Sequence, residues 1–316
     1  MSAAPVLRWR RLGAIALLLL PPQAAGRASA KEAPVFGTGT RLVVLHATVK
    51  NARGELVTDL GKDAFSLYED GKAQEISQFR RDDVPVSLGL LIDNSGSMRK
   101  LRTRVERAAL DCVRASNPRD EVFVLNFADR LHLDVPFTND PQVLEAGIGR
   151  TDAIGGTALR DALKEGAEYL DRHGRRDRKV LLAITDGNDN ASVATIDTIR
   201  RLVEQHGIVI YAIGLLGEEA PSVARRAHQE LARLTELSGG VAYYASLPEE
   251  LDAAALGIAR QIRSQYTIGF VPSERSLDGS YRQLRLEARG PERLYVQTRA
   301  GYRATAASGP AAAADR

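Results

Sequence analysis

Hydrophobic and polar positions change period twice along the chain. Residues 41–49 alternate, with Val43, Leu45, Ala47 and Val49 on one side, the period of a half-buried strand. A turn-like Asn51-Ala-Arg-Gly54 follows, then a run over 64–69 with Phe65 and Leu67 on one face, Asp70-Gly71, and a further run over 74–79. An Asp-Gly pair between alternating runs predicts a β-hairpin. From residue 86 the texture becomes apolar strands separated by amphipathic helices. Strands are predicted over 86–92, 121–127, 179–184, 209–215 and 240–245, with a short edge strand over 131–135. Helices are predicted over 98–115, 157–170, 191–205, 222–237 and 248–263. Strands of near-continuous Val, Ile and Leu alternating with helices predict a doubly wound, mostly parallel α/β sheet covered on both faces.

After Gln265 the period returns to two. Tyr266, Ile268 and Phe270 alternate, and further strands fall around 284–288 and 294–298. Neither β flank is long enough to bury a core of its own, since an isolated hairpin is marginal in water. The expected organisation is therefore a Rossmann-like α/β domain at 84–264, inserted between flanks at 41–83 and 265–303 that pair into one small β-sandwich. Residues 304–316, rich in Ala with Ser, Gly and Pro, predict a disordered tail.

The first residues change the compartment and the charge. Arg8, Arg10 and Arg11 precede a short apolar run from Leu12 to Leu20, and Ala28-Ser-Ala30 is a small-residue cleavage site, so 1–30 reads as a signal peptide and 31–40 as a linker. The apolar run is too short to span a bilayer, which takes about 20 residues. With the leader removed, no integral membrane segment is expected, and the protein is placed in the periplasm, the cell envelope or the medium. The 43 Lys and Arg against 40 Asp and Glu give a net charge of +3. Residues 1–30 hold four of those arginines and no acid, which leaves the remainder at −1. A nucleic-acid partner is not indicated. The single cysteine, Cys112, has no disulfide partner and falls on an apolar helical stripe with Val105, Ala108 and Ala109, as a buried small hydrophobe would.

The candidate chemistry begins where the strand over 86–92 meets Asp93-Asn-Ser95-Gly-Ser97. A carboxylate and two hydroxyls on a strand-to-helix loop lie at the carboxyl end of a strand, where open α/β sheets bind ligands. They offer only oxygens, as a small hard divalent cation requires, although Asp and Ser serve equally as helix caps. Gly155-Gly156-Thr157 opens another helix, and Thr185-Asp186-Gly187 ends another buried strand, bringing more oxygens to the same sheet edge. Asp189 and Asn190, just past Asp186, are candidates for the rim of the site, with a solvated turn carrying an Asn cap the favoured reading, and Asp129 and Asp134 read as ordinary loop residues. The five histidines show no ligand spacing.

Asp93-x-Ser95-x-Ser97, Gly-Gly-Thr157 and Thr-Asp186-Gly, in that order on a doubly wound sheet, resemble the von Willebrand factor type A domain with its metal-ion-dependent adhesion site. The flanking Asp63-Ala-Phe-Ser-Leu-Tyr-Glu-Asp-Gly and Ser264-Gln-Tyr-Thr-Ile-Gly-Phe are similar to the related family described from acidobacteria. The resemblance implies that Asp93, Ser95, Ser97, Thr157 and Asp186 hold a cation directly or through water, Mg²⁺ by default with Mn²⁺ or Ca²⁺ as alternatives. It further implies a protein ligand that completes the coordination with an acidic side chain. No Gly-x-Ser-x-Gly elbow, no adjacent histidine base and no phosphate loop accompanies the serines, so an enzyme is not expected. The competing expectations are an envelope protein in which the cation only stabilises the fold and, less favoured, a metal-assisted hydrolase.

Overall fold

The computed structural model describes residues 42–149, 155–216, 220–247 and 249–305. The expected leader, the linker and the tail beyond residue 305 lie outside them. In chain order the first flank gives β1 (Val43–Asn51), β2 (Phe65–Glu69), β3 (Lys72–Gln74) and β4 (Ile76–Arg80). The α/β region gives β5 (Val86–Asp93), α1 (Arg102–Ala115), β6 (Glu121–Phe127), β7 (Leu131–Thr138), α2 (Pro141–Ile148), α3 (Leu159–His173) and β8 (Arg178–Thr185). It continues through α4 (Ile196–His206), β9 (Val209–Leu215), α5 (Pro221–Glu236), β10 (Ala242–Ala245) and α6 (Glu250–Arg263). The second flank gives β11 (Tyr266–Phe270), β12 (Tyr281–Ala288), β13 (Leu294–Gln297) and β14 (Gly301–Arg303).

The central sheet has the order β10-β9-β8-β5-β6-β7, parallel except for the antiparallel edge strand β7. Its middle strand β5 is buried along its whole length. Leu88, Leu90 and Ile92 point into a core shared with α1 and α6, while Leu91 points into the other core, shared with α3, α4 and α5. Strict alternation of direction along one strand thus supplies both faces. Gly89 lies between them where no side chain fits: a Cβ there would be 2.4 Å from Phe123 Cζ and 2.7 Å from Leu181 Cδ2. Gly89→Ala is expected to destabilise the protein by about 1–3 kcal/mol through overpacking. A urea midpoint equal to the parent's would show that Phe123 yields without cost.

The two flanks pair with each other. β1 runs antiparallel to β11 with Leu45 opposite Ile268, and β2 runs antiparallel to β12 with Leu67 opposite Leu286. They form two four-stranded sheets, β13-β1-β11-β4 and β14-β12-β2-β3, which share one apolar core. Phe65 of one sheet meets Tyr266 of the other with ring centroids 4.9 Å apart. The Asp70-Gly71 loop joins β2 to β3 with positive φ at both residues (47° and 80°), the requirement of a two-residue hairpin turn. The second arm of that hairpin is shorter than its sequence suggests. It breaks at Glu75, and β4 then leaves β3's sheet to pair with β11 in the other, Ile76 opposite Phe270.

Other departures have local causes. α2 begins on Asp140, whose carboxylate accepts from the Gln142 N–H ahead of Pro141 at the first helical position. α4 starts at Ile196 instead of 191, because Asp189, Asn190 and Ser192 are engaged elsewhere and Thr195 supplies the cap. Residues 96–101 form a 3-10 turn before α1. Among the described residues no helix is long and apolar enough to cross a membrane. Cys112 is buried, and burial pushes its thiol up to about 12.

The sandwich meets the α/β domain at the amino ends of the central strands. Arg178, the first residue of β8 and only 2% exposed, donates to the Val84 carbonyl at 3.2 Å, the Ile262 carbonyl at 2.7 Å and Gln265 Oε1 at 2.6 Å. The Gln265 amide donates in turn to Tyr211 Oη at 2.9 Å and Thr48 Oγ1 at 3.3 Å. Arg303 of β14 pairs with Glu204 of α4 at 2.9 Å. The carboxyl edge of the sheet is left for other work.

Candidate metal centre

At that carboxyl edge β5 ends on Asp93, which has no exposed surface. Its Oδ1 accepts from the Ser95 N–H at 2.8 Å and its Oδ2 from Thr185 Oγ1 at 2.5 Å. Thr185 ends β8, the strand beside β5, and its hydroxyl also accepts from Gly187 N–H at 2.9 Å. The Ser95 and Ser97 hydroxyls are 3.1 Å apart, and Ser97 donates to Asp186 Oδ2. The other Asp186 oxygen accepts from the Asn188 N–H at 3.1 Å. Asp93, Ser95, Ser97 and Asp186 therefore form one continuous oxygen cluster.

Thr157 reaches the same edge through its backbone. The Gly155 carbonyl accepts from Gly96 N–H at 3.3 Å, and the Ala128 carbonyl beyond β6 accepts from Ala158 N–H at 2.8 Å. Glycine is needed at 155, where φ is +102° and a Cβ would lie 2.7 Å from the Asp129 carboxylate. A Cβ on Gly156 would lie 2.5 Å from Asn190 Oδ1. All five residues singled out in the sequence are thus on three adjoining loops.

The solvated turn expected at Asp189 and Asn190 is only half found: Asn190 is exposed, and the Asp189 side chain is not. The Asp189 side chain is wholly buried against Arg160, and Asn190 Oδ1 accepts from the Thr157 N–H at 2.9 Å. Burial raises the Asp189 pKa, but hydrogen bonds from Arg160 and Ser192 outweigh it and hold the carboxyl below its usual range. Asp134 lies within β7 and accepts from Asn126 Nδ2 at 2.7 Å, a cross-strand bond to β6. Among the described residues, no group of three or more His, Cys, Asp or Glu side chains could hold a metal ion.

The donor set fits a hard dication. It consists of hydroxyls and two carboxylates, with no nitrogen or sulfur. Burial, and then repulsion from Asp186, push Asp93 up to about 7. Two carboxylates are therefore held together at a cost that a positive charge between them would remove.

The hydroxyls and carboxylates thus converge on the carboxyl edge of an open, doubly wound α/β sheet, the edge where sheets of this class bind ligands. Residues 88–188 match the family model of the von Willebrand factor type A domain. Among solved structures, von Willebrand factor type A from Catenulispora acidiphila superposes with a TM-score of 0.50 at 13% identity, over 85% of this chain and 75% of that one. An aerotolerance-related membrane protein from Bacteroides fragilis gives 0.47 at 16% identity, over 56% of this chain and 98% of that one. Proximal thread matrix protein 1 from the mussel byssus, with a zinc-occupied MIDAS motif, gives 0.46 at 20% identity, over 61% of this chain and 49% of that one. No curated protein matches the sequence.

Proposed function

We propose that this protein is an exported, non-catalytic binding module in which Asp93, Ser95, Ser97, Thr157 and Asp186 hold a divalent cation that a partner's acidic side chain completes. When bound, the cation supplies a Lewis-acidic position for an external carboxylate. Asp93 and Asp186 balance its charge, Ser95, Ser97 and Thr157 contribute neutral oxygens, and Thr185 orients Asp93. The observation that carries the reading is the wholly buried Asp93 carboxylate facing Asp186 across the serine hydroxyls. Mg²⁺ suits an all-oxygen set of this size, with Mn²⁺ and Ca²⁺ as alternatives. With two protein carboxylates the site approaches neutrality without exceeding it, which leaves affinity for one more anionic oxygen. The sandwich joins the opposite edge of the sheet, so the docking edge is not covered by it.

The test is capture from envelope extract by the immobilised full chain in Mg²⁺, run beside EDTA and beside Ser97→Ala. Retention in Mg²⁺ that is lost in both other arms supports the reading. Capture indifferent to EDTA overturns it, and a Mg²⁺-dependent gain in unfolding temperature with no capture favours the cation as a stabiliser of the fold alone.

A further inference from the structure

Resting on the reading of Thr157 and Asp186 as cation donors, we propose that Asp189 and Asn190 are positioning residues that fasten the Thr157 loop to the Asp186 loop. The two donors then form a preset pair before any cation arrives. Sequence alone gives Thr157 little restraint: it follows two glycines, one with φ of +102°. α3, which starts two residues later, has no side-chain cap from Ala158, so its first N–H groups need partners from elsewhere.

The segment after Asp186 supplies both needs. Asn190 Oδ1 accepts from the Thr157 N–H at 2.9 Å, while the Asn190 and Ala191 N–H groups donate to the Thr157 carbonyl at 3.0 and 3.1 Å. Thr157 is thus held at both its backbone donor and its acceptor. Asp189 Oδ2 accepts from Arg160 N–H at 2.9 Å and from Arg160 Nε at 3.1 Å, capping α3 from another part of the chain. Ser192 Oγ accepts from Asp161 N–H at 3.2 Å, and the Asp161 carboxylate accepts in return from Val193 and Ala194 N–H at 3.0 and 2.7 Å. Arg160 also faces Glu230 at 3.4 Å, so it keeps a carboxylate when Asp189 is neutralised. Supporting partners of this kind set the orientation of metal donors, and their loss typically costs about 10–100-fold in affinity.

Mn²⁺ titration calorimetry on the full chain tests this, with unfolding in EDTA recorded for every variant and amide exchange at Thr157 followed without metal. Asn190→Leu removes the acceptor and is expected to weaken Mn²⁺ binding by about 10–100-fold and to speed exchange at Thr157. Asn190→Asp keeps an oxygen there and restores the parent's affinity. Asp189→Asn falls between. Glu204→Gln, which loosens the distant junction, lowers stability without changing affinity. If Asn190→Leu and Asp189→Asn bind as the parent does while Asp186→Ala does not, the positioning role is overturned and the site stands. A loss of affinity that tracks stability in all variants, Glu204→Gln included, also overturns it. A parent that binds no Mn²⁺ overturns the site itself.

Discussion

Asp93→Asn is expected to abolish cation binding and yet to make the metal-free protein more stable at pH 8. In the parent, Asp93 is buried beside Asp186 and is pushed up to about 7. A carboxyl that binds its proton more tightly in the folded state contributes its full stabilisation below about pH 4, where free Asp titrates. That contribution is lost as pH rises through about 7. The separation between those values corresponds to about 4 kcal/mol at most. In EDTA the parent should therefore weaken between pH 5 and pH 8, while Asp93→Asn, which has no such proton to lose, weakens less and exceeds the parent by about 2–4 kcal/mol at pH 8. Asp120 is also pushed up, to about 6, chiefly by burial, and weakens the fold in the same direction. It is common to both proteins, so their difference isolates Asp93. Saturating Mg²⁺ should reverse the order, raising the parent's unfolding temperature and leaving the variant's unchanged. A variant less stable than the parent in EDTA at pH 8 would refute the electrostatic account of the site.

Arg178→Met should produce the largest loss of stability. The guanidinium holds the carbonyls of Val84 and Ile262 together with Gln265 Oε1, and those three residues lie on or beside both crossings between the sandwich and the α/β domain. Methionine fills similar volume but leaves two buried acceptors, the Ile262 carbonyl and Gln265 Oε1, and the part-buried Val84 carbonyl without this donor, each buried one worth about 1–3 kcal/mol. Removing a desolvated cation returns part of this, since burial lowers the Arg178 pKa. A net loss of about 3 kcal/mol or more is expected from urea unfolding. Arg178→Lys should recover only a fraction, because one ammonium cannot span the same fork of acceptors. A loss under about 1 kcal/mol would mean that the junction is held by its apolar contacts instead.

Much of this architecture is legible without coordinates. The alternation of apolar runs and amphipathic stripes located the central strands to within a residue or two, because strands buried on both faces admit almost nothing but apolar side chains. Asp93, Ser95, Ser97, Thr157 and Asp186 stand out in the sequence as a candidate set because their spacing resembles a known family pattern, and the fold brings their three loops to one sheet edge. The remainder depended on partners distant in sequence. The run over 74–79 reads as one strand, yet Glu75 divides it between two sheets, and only the pairing with β11 reveals it. The three-residue β14 is too short to show a period, and its hold comes from β12. Asp189 and Asn190 have the composition of a solvated turn; the burial of the Asp189 side chain follows from Arg160 and the hold on Asn190 from Thr157, some thirty positions earlier. Arg178 is not singled out in the sequence, where the predicted strand starts at 179, since nothing local announces that two crossings converge on it.

The pairing of the flanks also fixes an order of events during synthesis. Leu45 of β1 has its sheet partner Ile268 in β11, and Phe65 of β2 has Ala288 in β12, so each waits for more than two hundred further residues before it can be covered. The α/β domain lies wholly between them, and each parallel neighbour of β5 is made before β11 emerges. Contacts of such separation are slow to close. The sandwich is therefore expected to close after the α/β domain has assembled, and until then the apolar faces of β1 and β2 are in need of protection from aggregation.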